Sequence, residues 1–178
     1  MRKLIWPVLF LFLLVLQGAL TVFYTGWLSF DLPLVFLYTY TLIYGKYWGA
    51  LAGLGIGFFQ DALTMSIFGF HMLTRTLFAY GMGKVYKNIY KDKNSYHMGC
   101  VALGTLAIQG GYCLLELLLS GGQWRALPFL LWQSLGMALG NGLLVLVFLK
   151  PTQLLQQWVE AKKINYNLDP KHESAKRE

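Results

Sequence analysis

The chain has 178 residues, of which 56% are hydrophobic, 16% aromatic and only 13% charged, with a mean hydropathy of +0.48. Because soluble domains carry about 25% charged residues, this composition excludes an ordinary soluble enzyme and indicates an all-α integral membrane protein. The net charge of +7 does not indicate a nucleic-acid-binding protein, because lysines and arginines form short clusters between apolar runs.

Six apolar segments predict six transmembrane helices within a domain covering residues 1–150. Their ranges are 4–24, 32–44, 47–63, 67–83, 96–119 and 127–149. The first segment begins like a signal peptide, but no small-residue cleavage site follows it, so a retained helix is favoured over cleavage.

The last part of the chain differs in composition from the six segments. Residues 151–164 place Leu154, Leu155, Trp158 and Val159 on one helical face, which predicts a short amphipathic helix along the inner membrane surface. Residues 165–178 are polar and charged, which predicts a disordered cytoplasmic tail.

Basic residues predict the direction of the chain. If the N-terminus is cytoplasmic, six crossings return the C-terminus to the same side, and 13 of the 15 lysines and arginines lie there. Of the other two, Arg125 lies outside and Arg75 lies within a segment. This asymmetry is the one expected of a multi-pass inner-membrane protein.

Glycines recur every four residues in the third segment, at Gly49, Gly53 and Gly57. A shorter ridge, Gly136 and Gly140, lies in the last segment. Small residues let helix backbones approach closely in a membrane. The ridges therefore predict either packing within the chain or a docking face for another protein's helix.

Asp61 and Arg75 are the only charges between Gly49 and Lys84. A charge at membrane depth costs several kcal/mol unless it is paired or solvated. An ion pair between these residues, bridging two antiparallel helices, is the favoured prediction. A contact with a partner's helix and a proton- or substrate-handling role are the alternatives. His71 lies one turn before Arg75 and is predicted to share its polar neighbourhood.

Enzyme signatures are absent from the sequence. It has no glycine-rich phosphate loop, no HExxH and no CxxC. Cys100 and Cys113 would lie about 20 Å apart on one helix, too far for a disulfide. We therefore predict no catalytic residue, no cofactor, no metal site and no enzymatic activity.

The segment GLGIGFFQD, from Gly53 to Asp61, is followed by a short connector, the pair Phe68-Gly69 and the apolar helix FHMLTRTLFAYGMGKV. These features, with the length, the six segments and the basic inner loop, resemble the MreD family of rod shape-determining membrane proteins. Family members often have proline followed by a polar residue at the start of the second span. Here Asp31 precedes Pro33, which weakens any role for this corner.

The resemblance implies a non-enzymatic scaffold in the bacterial cytoplasmic membrane that supports cell shape and lateral peptidoglycan synthesis. It implies binding to the single-span protein MreC and membership of the elongation complex with MreB, RodA and a class B penicillin-binding transpeptidase. The residues predicted for helix packing or a partner interface are Gly49, Gly53, Gly57, Phe58, Gly69, Gly136 and Gly140.

The resemblance also implies the six-helix fold of the substrate-binding subunits of energy-coupling-factor transporters. A vitamin-binding transporter subunit with this architecture is therefore the alternative function. It predicts a cavity lined by Gln109, Trp132, Gln133 and Asn141.

Overall fold

In a computed structural model, the chain is helical through most of the residues that the structure describes, namely 5–23, 29–64, 67–85, 94–119 and 127–167. These residues form six helices in chain order. They are α1 (Ile5–Phe23), α2 (Leu32–Tyr44), α3 (Lys46–Thr64), α4 (Phe70–Val85), α5 (Asn94–Leu119) and α6 (Leu127–Asn167). The all-helical prediction is confirmed, and each of the six predicted segments overlaps one of these helices.

Within the described residues, two helical stretches are long and apolar enough to cross a membrane. They are Asn94–Leu119 and Leu127–Pro151. Val8–Ala19 and Leu32–Tyr44 are shorter apolar stretches.

Helix α2 lies at the centre of the bundle, where it packs against α1, α3, α4 and α6. Ten of its 13 residues are buried, among them Val35 and Leu37, which are inaccessible to solvent. Because α2 faces protein on nearly every side, its sequence is that of a core helix, in which the buried hydroxyls of Thr39 and Thr41 donate to carbonyls of the same helix.

Two glycines with positive φ set the ends of the short helices. Gly45 (φ 84°) ends α2 one residue before α3 begins. Gly69 (φ 94°) precedes α4, which begins at Phe70, three residues after the predicted start of that segment. Glycine adopts this backbone conformation without the steric cost that other residues incur.

Helix α6 is longer than the sequence predicts, because it continues through Pro151 to Asn167. The predicted amphipathic segment 151–164 is therefore the C-terminal part of α6 in the structure. Residues 165–167 are also helical, whereas the rest of the predicted tail, 168–178, lies outside the described residues. Proline removes one intrahelical hydrogen bond, so the helix is weakest near residue 151.

Candidate functional site

A buried polar network centres on Asp31, which stands immediately before α2. Asp31 Oδ1 accepts a hydrogen bond from the Leu34 amide at 3.0 Å, so the side chain caps the start of the helix. Pro33 lies in the first turn, where its missing N–H leaves no intrahelical bond unmade. The sequence Asp-Leu-Pro thus determines locally where α2 begins.

The other carboxylate oxygen of Asp31 binds Arg75 of α4. Arg75 Nη2 donates to Asp31 Oδ2 at 2.7 Å, and the arginine side chain is only 2% exposed. Arg75 Nε and Nη1 have no hydrogen-bond partner among the described residues. A charge buried this deeply needs its counter-ion, because an unpaired guanidinium inside the bundle would be strongly unfavourable.

Asn141 of α6 extends the network to two more helices. The Asp31 amide donates to Asn141 Oδ1 at 2.7 Å, and Asn141 Nδ2 donates to Thr105 Oγ1 of α5 at 3.1 Å. Asn141 is fully buried, so both contacts form away from solvent. Residues from α4, α5 and α6 therefore meet at the start of α2.

Gln17 of α1 holds the chain segment just before α2. Its Nε2 donates to the Phe30 carbonyl at 2.7 Å, and its Oε1 accepts from the Leu32 amide at 3.0 Å. One glutamine amide thus binds a backbone carbonyl just before α2 and one of the N–H groups that the start of α2 leaves without an intrahelical partner.

Asp61 forms a second polar centre at the start of α4. Its carboxylate accepts the backbone amides of Gly69, His71 and Met72, each at 3.0 Å. His71 Nδ1 also lies 2.9 Å from Asp61 Oδ1. A carboxylate at a helix N-terminus is stabilised by the amide donors and by the helix dipole.

The structure corrects the predicted ion pair between Asp61 and Arg75, because each residue has a different partner. The Asp61 carboxylate binds N–H groups of Gly69, just before α4, and of His71 and Met72 in the first turn of α4. Arg75 lies more than a turn further along α4 and reaches Asp31 of α2 instead. His71, predicted to lie near Arg75 in the polar neighbourhood, binds Asp61.

The glycines of α3 face other helices of the same chain. A Cβ atom at Gly53 would lie 2.7 Å from the Arg75 carbonyl oxygen, and one at Gly57 would overlap the Met72 backbone. A Cβ at Gly49 would overlap the Thr41 side chain of α2. The structure thus places this ridge against α4 and α2.

The two glycines of the α6 ridge, Gly136 and Gly140, are also buried. A Cβ at Gly140 would lie 2.6 Å from the Ser29 carbonyl oxygen. The remaining predicted glycine, Gly69, lies in the turn before α4 with a positive φ.

Phe58 is placed differently from these glycines. It is 45% exposed and lies in an edge-to-face cluster with Phe59 and Phe68, at ring-centroid distances of 5.8 and 6.0 Å. We call these three residues the aromatic corner. It lies on the outside of the α3–α4 hairpin.

A cavity of about 410 Å³ lies between α1, α5, α6 and residues 29–30. Gln109 and Gln133, two of the four residues predicted to line a cavity, border it. Trp132 is 57% exposed, and Asn141 is bound within the Asp31 network. The structure thus gathers only part of the predicted ligand-binding set.

Asp31 and Gln17 are the residues that the sequence interpretation missed. The signal for Asp31 was present, because aspartate two residues before a proline is typical of a helix start. Its partner was not predictable, since Arg75 is 44 positions away. No local sequence pattern marks Gln17, because its contacts depend on where residues 30–32 lie relative to α1.

A family model described as rod shape-determining protein MreD matches residues 1–157. The chain belongs to the MreD family. The sequence resemblance is therefore confirmed over 157 of 178 residues. MreD proteins form a family of shape-determining membrane proteins that are not known as enzymes. Comparison with curated proteins and with solved structures found no match.

Proposed function

We propose that this MreD-family chain is a non-enzymatic scaffold of the bacterial elongation complex, and that it binds the single-span protein MreC. The complex would include MreB, RodA and a class B penicillin-binding transpeptidase, so the scaffold supports lateral peptidoglycan synthesis and cell shape. Family membership over most of the chain supports the role in rod shape. The buried charges support a structural interpretation, because Asp31, Asp61 and Arg75 are engaged in contacts between helices.

The observation that carries the MreC-binding proposal is the aromatic corner. Its three phenylalanines are 45–66% exposed, whereas the neighbouring glycine ridge packs against the chain's own helices. Exposed aromatic side chains provide large contact areas at interfaces, and a rigid support lowers the entropy lost on binding. The Asp61 contacts to the start of α4 supply that support.

We further propose six spans in the cytoplasmic membrane, with both termini in the cytoplasm and the fold of the energy-coupling-factor substrate-binding subunits. The distribution of basic residues supports this topology. The part of α6 beyond Pro151 would then lie along the inner surface, where its apolar side chains and lysines suit the headgroup region.

Co-purification tests the MreC-binding proposal. Phe68→Ala and Phe58→Ala, each in full-length protein co-expressed with the cognate single-span MreC, are expected to reduce the MreC recovered in mild detergent at least several-fold. Phe129→Ala is the matched control, because Phe129 on α6 is 67% exposed and Phe68 is 66% exposed. Equal recovery from all three variants would exclude the aromatic corner as the MreC site. Failure of the wild type to retain MreC would contradict the scaffold proposal itself.

A further inference from the structure

The cavity between α1, α5 and α6 has the size and lining of a ligand site. Its volume of about 410 Å³ lies within the range of roughly 300–1,000 Å³ typical of small-molecule pockets. Among the described residues that line it, none is aspartate, glutamate, lysine, arginine or histidine. An ionic ligand would therefore find no counter-charge among these described lining residues.

Two polar groups at the cavity lack good partners. Ser29 Oγ is buried and has no hydrogen-bond partner among the residues that the structure describes. Gln109 Nε2 donates to Met137 Sδ at 2.8 Å, and a thioether sulfur is a weak acceptor. Both groups are donors that an acceptor oxygen would satisfy better.

The rest of the lining is suited to an apolar group. Phe30, Leu130 and Met137 border the cavity together with the polar side chains. A ligand that satisfies both kinds of surface must combine acceptor oxygens with a hydrocarbon part.

We propose that this cavity binds the uncharged head of an amphiphile that carries ester or carbonyl oxygens. The oxygens accept hydrogen bonds from Ser29 and Gln109, and the adjoining hydrocarbon contacts Phe30 and Leu130. This binding is separate from the MreC contact, because the aromatic corner lies on α3 and the turn before α4.

Cys113 provides a direct test, because it borders the cavity and is otherwise buried. In full-length protein carrying Cys100→Ser, Cys113 is the only thiol, and its modification by N-ethylmaleimide can be followed by intact mass spectrometry. Monooleoylglycerol, an uncharged glycerol ester, is expected to slow this modification at least fivefold in a saturable manner. Oleate, which has the same chain and a charged head, is expected to have little effect.

Glutamine variants identify the groups that bind the ester. Gln109→Leu is expected to weaken protection by monooleoylglycerol about fivefold, the effect of one lost hydrogen bond. Gln156→Leu is the control, because it makes the same glutamine-to-leucine change far from the cavity. Gln156 lies about 35 Å along α6 from Gln133, which borders the cavity. An increase in the melting temperature of the unsubstituted protein with monooleoylglycerol, and not with oleate, gives a readout that does not depend on the variants.

Three results would overturn the proposal. Resistance of Cys113 to N-ethylmaleimide would show that small neutral molecules do not enter the cavity. Equal protection by oleate would show partition of the chain only. Equal losses in Gln109→Leu and Gln156→Leu would show that the cavity glutamine does not contact the ester.

Discussion

Asp31 lies immediately before α2, and Asp61 in the last turn of α3 reaches the start of α4, so in both places backbone N–H groups of a helix start donate to the carboxylate. These donors compensate much of the cost of burying a negative charge. Arg75 has no comparable backbone support and depends on Asp31 for its counter-ion. The two carboxylates therefore differ in function, because Asp31 pairs a cation and Asp61 orders a turn.

A double-mutant cycle distinguishes this arrangement from the pairing that the sequence suggests. Arg75→Met is expected to cost about 3–5 kcal/mol of unfolding free energy, as the loss of one partner of a buried pair does. Asp31→Asn keeps a capping side chain but removes the charge. The double variant should show a coupling energy of about 0.5–3 kcal/mol in the free energy of unfolding, as residues in contact do. The measurement is unfolding in mixed micelles followed by circular dichroism.

Asp61→Asn combined with Arg75→Met is the comparison cycle. Because these residues have separate partners, their effects on unfolding should add within about 0.5 kcal/mol. A larger coupling for Asp61 than for Asp31 would contradict the contacts described above.

At the scale of elements, the α3–α4 hairpin depends on close backbone approach. Gly53 and Gly57 lie against the α4 backbone, whereas a Cβ atom at Gly55 would meet open space. The α4 backbone cannot move away from an added methyl group as easily as a flexible side chain could. A single methyl group is therefore expected to have opposite effects at neighbouring glycines of one helix.

Gly57→Ala is expected to destabilise the protein by about 1–3 kcal/mol, because the added methyl group overlaps the Met72 backbone. Gly55→Ala should be neutral or stabilising by up to about 1 kcal/mol, since alanine favours a helix over glycine. Melting temperatures of the two variants in one detergent provide the measurement. Equal destabilisation would show that the ridge does not define the packing face.

Local sequence patterns predicted the helices well and their polar contacts poorly. The observed ends of α2 agree with the predicted ends, because Asp31, Pro33 and Gly45 determine the conformation of the backbone next to them. The glycine spacing likewise indicated that α3 makes a close contact, though not with which helix. The pairing of Arg75 could not be predicted from spacing, because it depends on how α2 and α4 cross in three dimensions. At Pro151 the local pattern predicted that one helix ends and another begins, whereas α6 continues through this residue.

At the scale of the whole molecule, the proposed topology places the two ends of the helix bundle on different sides of the membrane. Thr64 and Leu119 are exposed at the ends of α3 and α5, whereas Lys84 and Lys150 are exposed near the other end of the bundle. The basic residues predict that the second pair faces the cytoplasm.

Single cysteines at these four positions, in protein with Cys100→Ser and Cys113→Ser, test this topology. A membrane-impermeant thiol reagent applied to cells with a permeable outer barrier is expected to label Thr64→Cys and Leu119→Cys but not Lys84→Cys or Lys150→Cys. All four should react once the membrane is opened. Labelling of both pairs before opening would contradict six crossings with cytoplasmic termini.

The bond between the Asp31 amide and Asn141 joins positions 110 residues apart in the chain. At about 5–20 residues per second, a ribosome needs roughly 5–20 s to make the residues between them. The nascent chain must therefore carry an unfinished polar junction while its later helices are still being synthesised. Arrival of α6 completes that junction, so the buried network at the start of α2 closes only after α6 has been synthesised.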